Sequence, residues 1–142
     1  MISFTGSQTL SGTGSIVFGN NSGFNGVLIN NDSSGVATLT IAKDMTVRGP
    51  SGFIGTNPQI GGSSGAILLN RGTIQADVVG GAISLNSTSS QNSGILIARS
   101  GTTLSLARLR DSGNTTGLSF GLLCFAATVF WNKSCALGKP SR

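Results

Sequence analysis

The stretch "GTIQADVVGGAISL", residues 72 to 85, decides how this chain is read. Two alternating runs, Gly72-Thr73-Ile74-Gln75-Ala76 and Ala82-Ile83-Ser84-Leu85, flank the pair Gly80-Gly81. Taken alone it is a β-hairpin, because two short strands around a glycine-rich turn is the hairpin signature. Taken with the rest of the chain it is one turn of something that recurs. Strand-like runs of the same kind follow one another closely: "SIVF" (15–18), "GVLI" (26–29), "ATLTI" (37–41), "MTV" (45–47), "AILL" (66–69), "GILIA" (94–98) and "TTLSLA" (102–107). Between them lie turn signals rich in Gly, Asn and Ser, such as "GNNSGFNG", "GTNPQIGGSSG" and "NSTSSQNSG". Gly and Asn accept the left-handed backbone that tight corners need. Pro50 and Pro58 both fall in such corners, where a missing N–H costs nothing. No helical period with caps precedes residue 118.

A glycine leading into a strand recurs at Gly14, Gly35, Gly52, Gly72 and Gly94, in steps of 21, 17, 20 and 22 residues. A loose period near 20 with short strands in each unit signals a β-solenoid, in which every rung pairs with the rungs above and below. The rival is a β-sandwich of hairpins, which "FNGVLIN" (24–30) also allows. On the solenoid reading Ile74, Ile83 and Leu85 point into the core, Gly80-Gly81 is a corner, and Asp77 sits at an outward bend.

Composition supports an all-β scaffold and narrows its chemistry. Charged residues make up 9% of the 142, against roughly 25% in ordinary domains, while Gly numbers 22. Mean hydropathy is +0.23, too apolar for a disordered linker. The net charge of +5 is uneven. Residues 1–98 balance Lys43, Arg48 and Arg71 against Asp32, Asp44 and Asp77, so the whole excess lies in residues 99–142. The high isoelectric point therefore does not mark a nucleic-acid-binding body, and no nucleic-acid partner is expected.

Catalysis and metal binding find few candidates. The chain has no His and no Glu, so Ser-His-Asp and Cys-His sites are excluded. Paired carboxylates for glycoside hydrolysis would have to come from Asp32, Asp44, Asp77 and Asp111. Asp32 in "NNDSSG" and Asp44 in "AKDM" read as corner residues. Asp44 and Asp77 stand 33 apart, off the period, and are not expected to share a face. No acidic cluster for calcium and no Cys/His cluster is present, so no catalytic residue, cofactor or metal is expected. Asn20, Asn31, Asn86, Asn114 and Asn132 each head an N-x-[ST] sequence, as chance allows in so Asn- and Ser-rich a chain. Thr38, Thr40 and Thr46 alternate as an ice-binding array would, but without recurring rung after rung.

The wording of the repeats carries a resemblance. "ATLTIAKDMTVRGPSGFIG" (37–55), "LLNRGTIQADVVGGAISL" (68–85) and "NSGILIARSGTTLSL" (92–106) resemble the repeat regions of large bacterial surface exoproteins, namely autotransporter passengers and filamentous-haemagglutinin-like adhesins. "GGAI" (80–83) and "FGNN" (18–21) are similar to short motifs of chlamydial polymorphic membrane proteins. The resemblance covers residues 8 to 107. It implies a right-handed parallel β-helix, a cell-surface or secreted, outer-membrane-associated parent, and a structural or adhesive role toward host or matrix glycans or proteins. It brings no catalytic residue with it. With no secretory signal, translocator barrel or sorting tail recognisable, the chain reads as a fragment. A carbohydrate-active, pectin-lyase-like β-helix fragment is the alternative, and a truncated reading frame without independent function is a third.

The organisation expected is a repeat region over 1–107 and a divergent tail over 108–142. The tail holds Cys124, Cys135, the single Trp and the apolar run "LSFGLLCFAATVFW" (118–131). It reads as a helical cap, as a membrane-associating segment, or as frame-shifted sequence. The open ends of the repeat region offer unpaired strand edges for self-association.

Overall fold

The fold is described by a computed structural model over residues 1–19 and 24–111, with the backbone alone at Asp111. The tail from residue 112, with Cys124, Cys135 and the 118–131 run, lies outside the described residues. Among the described residues all regular structure is β. Fourteen strands run in order: β1 (Ile2–Thr5), β2 (Gln8–Leu10), β3 (Gly14–Val17), β4 (Gly26–Asn30), β5 (Ala37–Ile41), β6 (Met45–Gly49), β7 (Ser51–Gly55), β8 (Ala66–Asn70), β9 (Thr73–Ala76), β10 (Ala82–Asn86), β11 (Ser89–Asn92), β12 (Ile95–Ala98), β13 (Thr103–Leu106) and β14 (Leu109–Asp111).

The strands form three sheets, and each strand's neighbour is the one three places along the chain. Sheet A is β1-β4-β7-β10-β13, sheet B is β2-β5-β8-β11-β14, and sheet C is β3-β6-β9-β12. Every pairing between these strands is parallel. The two runs of the 72–85 stretch therefore never pair with each other. β9 belongs to sheet C and β10 to sheet A, so the stretch is not a hairpin.

Strand alternation explains the core. In β5 the residues Ala37, Leu39 and Ile41 are buried while Thr38 and Thr40 are half-exposed, and β8 repeats the pattern with Ala66, Leu68 and Asn70. Period-2 patterning sends one set of side chains inward on each of the three sheets. The inward sets meet in one cluster, which takes Val27, Ile54 and Leu85 from sheet A, Leu39 and Leu68 from sheet B, and Val47 and Ile74 from sheet C. Ile74, Ile83 and Leu85 are all at most 1% exposed, as the sequence indicates. Burying each such side chain is worth about 1.5–3 kcal/mol.

In-register residues stack into columns. Ile2, Val27, Ile54, Leu85 and Leu106 form one on sheet A, in steps of 25, 27, 31 and 21 residues. Sheet B steps by 31, 29, 22 and 19. The repeat is thus longer and more variable than the spacing near 20 read from the glycines. The glycine row is also corrected. Gly14, Gly72 and Gly94 do share one column, but its fourth member is Met45. Gly35 lies in the connection before β5, and Gly52 lies in sheet A beside Ile83.

The corner between sheets B and C is the constant one. It is two or three residues long in every layer, and the hydrogen bonding between layers runs through it: Ala42 N to Leu10 O, Arg71 N to Ile41 O and Ser93 N to Asn70 O, at 2.8–3.0 Å. A Cβ on Gly94 would stand 2.2 Å from Gly72 O, and one on Gly72 would stand 2.3 Å from Met45 O, so backbone packing demands glycine there. Insertions fall at the other two corners, the largest between β7 and β8.

Two aromatic side chains fill gaps left by glycines. Phe18, 4% exposed, occupies the inward space beside Gly52, where an added Cβ would lie 2.5 Å from its ring. Phe53 lies over Gly26, where a Cβ would come within 2.3 Å of its ring. Phe53 and Leu28 are both buried but stand outside the main core cluster. "NSTSSQNSG", read as a turn, contains strand β11, whose inward Ser90 and Asn92 are polar yet only 1% exposed.

Candidate functional site

Asp32, Asp44 and Asp77 do not converge. Asp44 sits at the corner leading into β6, beside the Arg71 position, and Asp77 follows β9 at the opposite end of the same sheet. Asp32 lies in the connection between β4 and β5, fully exposed. The Ser34 hydroxyl and the Ser34 N–H, which donates to its Oδ1 at 2.8 Å, hold its carboxyl below the ordinary aspartate value. Among the described residues, Asp77 alone of these three has a basic partner. Arg48 Nη1 donates to its Oδ2 at 3.1 Å and Gln75 Nε2 at 3.3 Å, leaving its side chain 10% exposed while that of Arg48 is 49% exposed. Asp77 thus completes an outward-facing ion pair on sheet C, and no second carboxylate among the described side chains joins it. Among the described residues no three His, Cys, Asp or Glu side chains lie together as a metal site would require.

Two concave surfaces among the described residues are small and lined by uncharged side chains. One, of about 270 Å³, is formed by the β7–β8 connection and lined by Thr56, Asn57, Pro58 and Gly61 to Ser64. The other, of about 210 Å³, lies on the outer face of sheet B between Ser7, Gln8, Thr9, Thr38 and Thr40. Both fall below the usual ligand-pocket range of roughly 300–1,000 Å³. Several of their hydroxyls already serve the backbone: Thr56 Oγ1 donates to Asn86 O at 2.9 Å, while Ser63 Oγ accepts from Asn31 N at 2.7 Å and Ser7 Oγ from Thr38 N at 3.1 Å.

The outer faces carry in-register columns of side chains. On sheet B one outward column reads Thr9, Thr40, Leu69, Gln91 and Arg110, and on sheet C another reads Ser15, Thr46, Thr73 and Ile95. Threonine pairs with threonine over two layers on each face and then gives way to other residues. Of the N-x-[ST] asparagines, Asn31 donates its amide to Gly35 O and Asn86 ends β10, while Asn20, Asn114 and Asn132 lie outside the described residues. No helix among the described residues is long and apolar enough to cross a membrane.

One arrangement has no counterpart among the residues singled out in the sequence. Asn70 and Asn92 stack in register inside the B–C corner, and Asn70 Nδ2 donates to Asn92 Oδ1 at 2.8 Å. The two amides also donate to Gly72 O and Gly94 O at 3.3 Å, while Asn70 Oδ1 is buried without a partner. The recurrence of N-x-G at 70–72 and 92–94, at the 22-residue register step, is the signal that could have revealed it. Comparison of the chain with protein-family models, with curated proteins and with solved structures finds no match to any of them.

Proposed function

We propose that the three sheets are the faces of a right-handed parallel β-helix, and that the chain is a structural and adhesive segment of a bacterial surface exoprotein of the autotransporter-passenger kind. The observation that carries the coil reading is the strand order, in which every neighbour is three strands away and parallel. Parallel crossovers are right-handed in nearly all proteins, which supports the handedness. The wording of the repeats over residues 8–107 supports the exoprotein reading. A scaffold of this kind works by length and by its outer faces. Its interior is consumed by stacking, so side chains such as Thr9, Thr40, Gln91 and Arg110 are what a partner would meet. Host or matrix glycans and glycoproteins fit such hydroxyl- and amide-rich faces, since each pleated strand offers alternate side chains at fixed spacing.

The test is a gain of adhesion. Cells displaying residues 1–142 on an unrelated membrane anchor are expected to bind immobilised matrix glycoproteins in a saturable manner. Soluble chain should compete for that binding. Retention no greater than that of cells displaying the anchor alone would contradict the adhesive role.

A further inference from the structure

The connection between β7 and β8, residues 56–65, is braced at its neck and closed at its tip. At the neck, Thr56 N and Thr56 Oγ1 donate to Asn86 O of β10 at 2.7 and 2.9 Å, Ser63 N donates to Ile29 O of β4 at 3.1 Å, and Thr88 Oγ1 donates to Ser64 O. Gly62 packs so near Thr56 that a Cβ on it would lie 2.7 Å from Thr56 Cα, so the two sides of the neck touch. At the tip, Asn57 N donates to Gly61 O at 2.7 Å, Gly61 N donates to Asn57 O at 2.8 Å, and Gln59 N donates to Asn57 Oδ1 at 2.9 Å. The walls of the cavity of about 270 Å³ are thus fixed before a ligand arrives, which lowers the ordering cost of binding.

The lining is uncharged and of two kinds. Thr56, Asn57, Ser63 and Ser64 supply hydroxyls and an amide, while Pro58, Gly61 and Gly62 supply an apolar wall without bulk. Among the described residues, Asn57 Nδ2, the Gly62 N–H and the Ser64 hydroxyl make no hydrogen bond to protein, so two donors and one group of either sense are left for a ligand. No charged residue stands between Arg48 and Arg71 in the sequence, and none lines the cavity. The acid closest in the bonding network is Asp32, which follows Asn31, the donor to Ser63 Oγ; its carboxylate lies against Gly6 and is held by Ser34. An anionic ligand therefore meets no countercharge. The cavity on sheet B offers hydroxyls and Gln8 but no apolar ring.

We infer that the 56–64 cavity is a subsite for one neutral hexose ring of a glycan. Its volume lies below the range for drug-sized ligands and suits a single ring. Pro58 and the two glycines face the C–H side of the ring, and Asn57, Gly62 and Ser64 take its hydroxyls. The choice of a glycan rests on the adhesive reading, and the lining narrows that glycan to a neutral unit. One ring binds with a dissociation constant on the order of millimolar. Many copies on one surface multiply that weak grip through multivalency.

Amide NMR of the isotope-labelled full chain, titrated with methyl glucoside and methyl galactoside, is the test. At least one of the two is expected to give saturable shifts confined to residues 56–64, half-complete on the order of 1–10 mM. N-acetylneuraminic acid, a sugar that carries a carboxylate, is expected to give none. Ser64→Tyr fills the cavity from an exposed position and should weaken binding at least tenfold, whereas Ser100→Tyr, exposed elsewhere, should leave it unchanged. Spectra that match the native chain outside the substituted loop show that each variant keeps the fold. No saturable shift, shifts centred outside residues 56–64, an equal response to the anionic sugar, or undiminished binding by Ser64→Tyr would each overturn the proposal. Sugar binding at this loop by a chain that fails to make cells adhere would uphold the subsite and remove the adhesive role, so the two failures are distinct.

Discussion

Asn70 and Asn92 show how a polar residue is made to serve a core. Asn70 sits where the two preceding layers place apolar residues, Leu10 and Ile41, and Asn92 follows it in the same column. They are tolerated because their amides bridge the layers and reach the corner carbonyls. Buried groups left without partners cost about 1–3 kcal/mol, while replacing both partners together is far cheaper. Asn92→Ala should lower the free energy of unfolding by about 1 kcal/mol, the net worth of the hydrogen bond lost, because Asn70 Nδ2 keeps Gly72 O and Ile95 O as acceptors. The double variant Asn70→Leu, Asn92→Leu should cost less than the two single leucine variants added together. Urea unfolding of the four proteins reads the difference, and strict additivity would deny the ladder its coupling. None of this was legible by alternation alone, which marks a strand by its apolar inward residues. For that reason "SSQN" reads as a turn although it is β11.

The elements were legible where alternation is apolar and obscure where it is not. "ATLTI" at 37–41 coincides with β5, and "GTIQA" and "AISL" fall on β9 and β10. Strands β1 and β2 went unread, because each is short and lies at an end with a single neighbouring strand. The glycine spacing misled in an instructive way. It mixed glycines of the constant B–C column with Gly35 from a corner that accepts insertions and Gly52 from a strand of sheet A, and so hid register steps of 19 to 31 residues behind a spacing near 20. The corner itself gives a sharp expectation. Gly94→Ala would push a Cβ into Gly72 O and should be strongly destabilising, whereas Gly14→Ala, in the same column but with nothing within 4 Å of its Cβ, should cost far less. Thermal unfolding of the two variants separates them. Equal losses would mean that the corner backbone is not packed as described.

At the scale of the whole molecule, composition limits the side chains that a catalytic site could draw on. Four aspartates and no histidine leave few catalytic arrangements, and the structure scatters Asp32, Asp44 and Asp77 over different corners. The Arg48–Asp77 pair lay beyond sequence reading because it joins residues 29 apart on adjacent strands, a separation set by the insertions between them. The proposed coil makes distance depend on layer number, not on separation along the chain. Thr9, Thr40, Leu69, Gln91 and Arg110 form a single column, so spin labels on its members report the stacking directly. The decisive measurement is the pulsed-electron-resonance distance between labels at Thr9 and Arg110, with Cys124 and Cys135 replaced by serine and the labelled chain diluted in unlabelled chain. Four parallel interstrand spacings of roughly 4.8 Å place the two labelled backbones about 19 Å apart, and the Thr9–Gln91 pair should be shorter by one spacing. A Thr9–Arg110 distance well beyond that value, or one no longer than Thr9–Gln91, would contradict the coil.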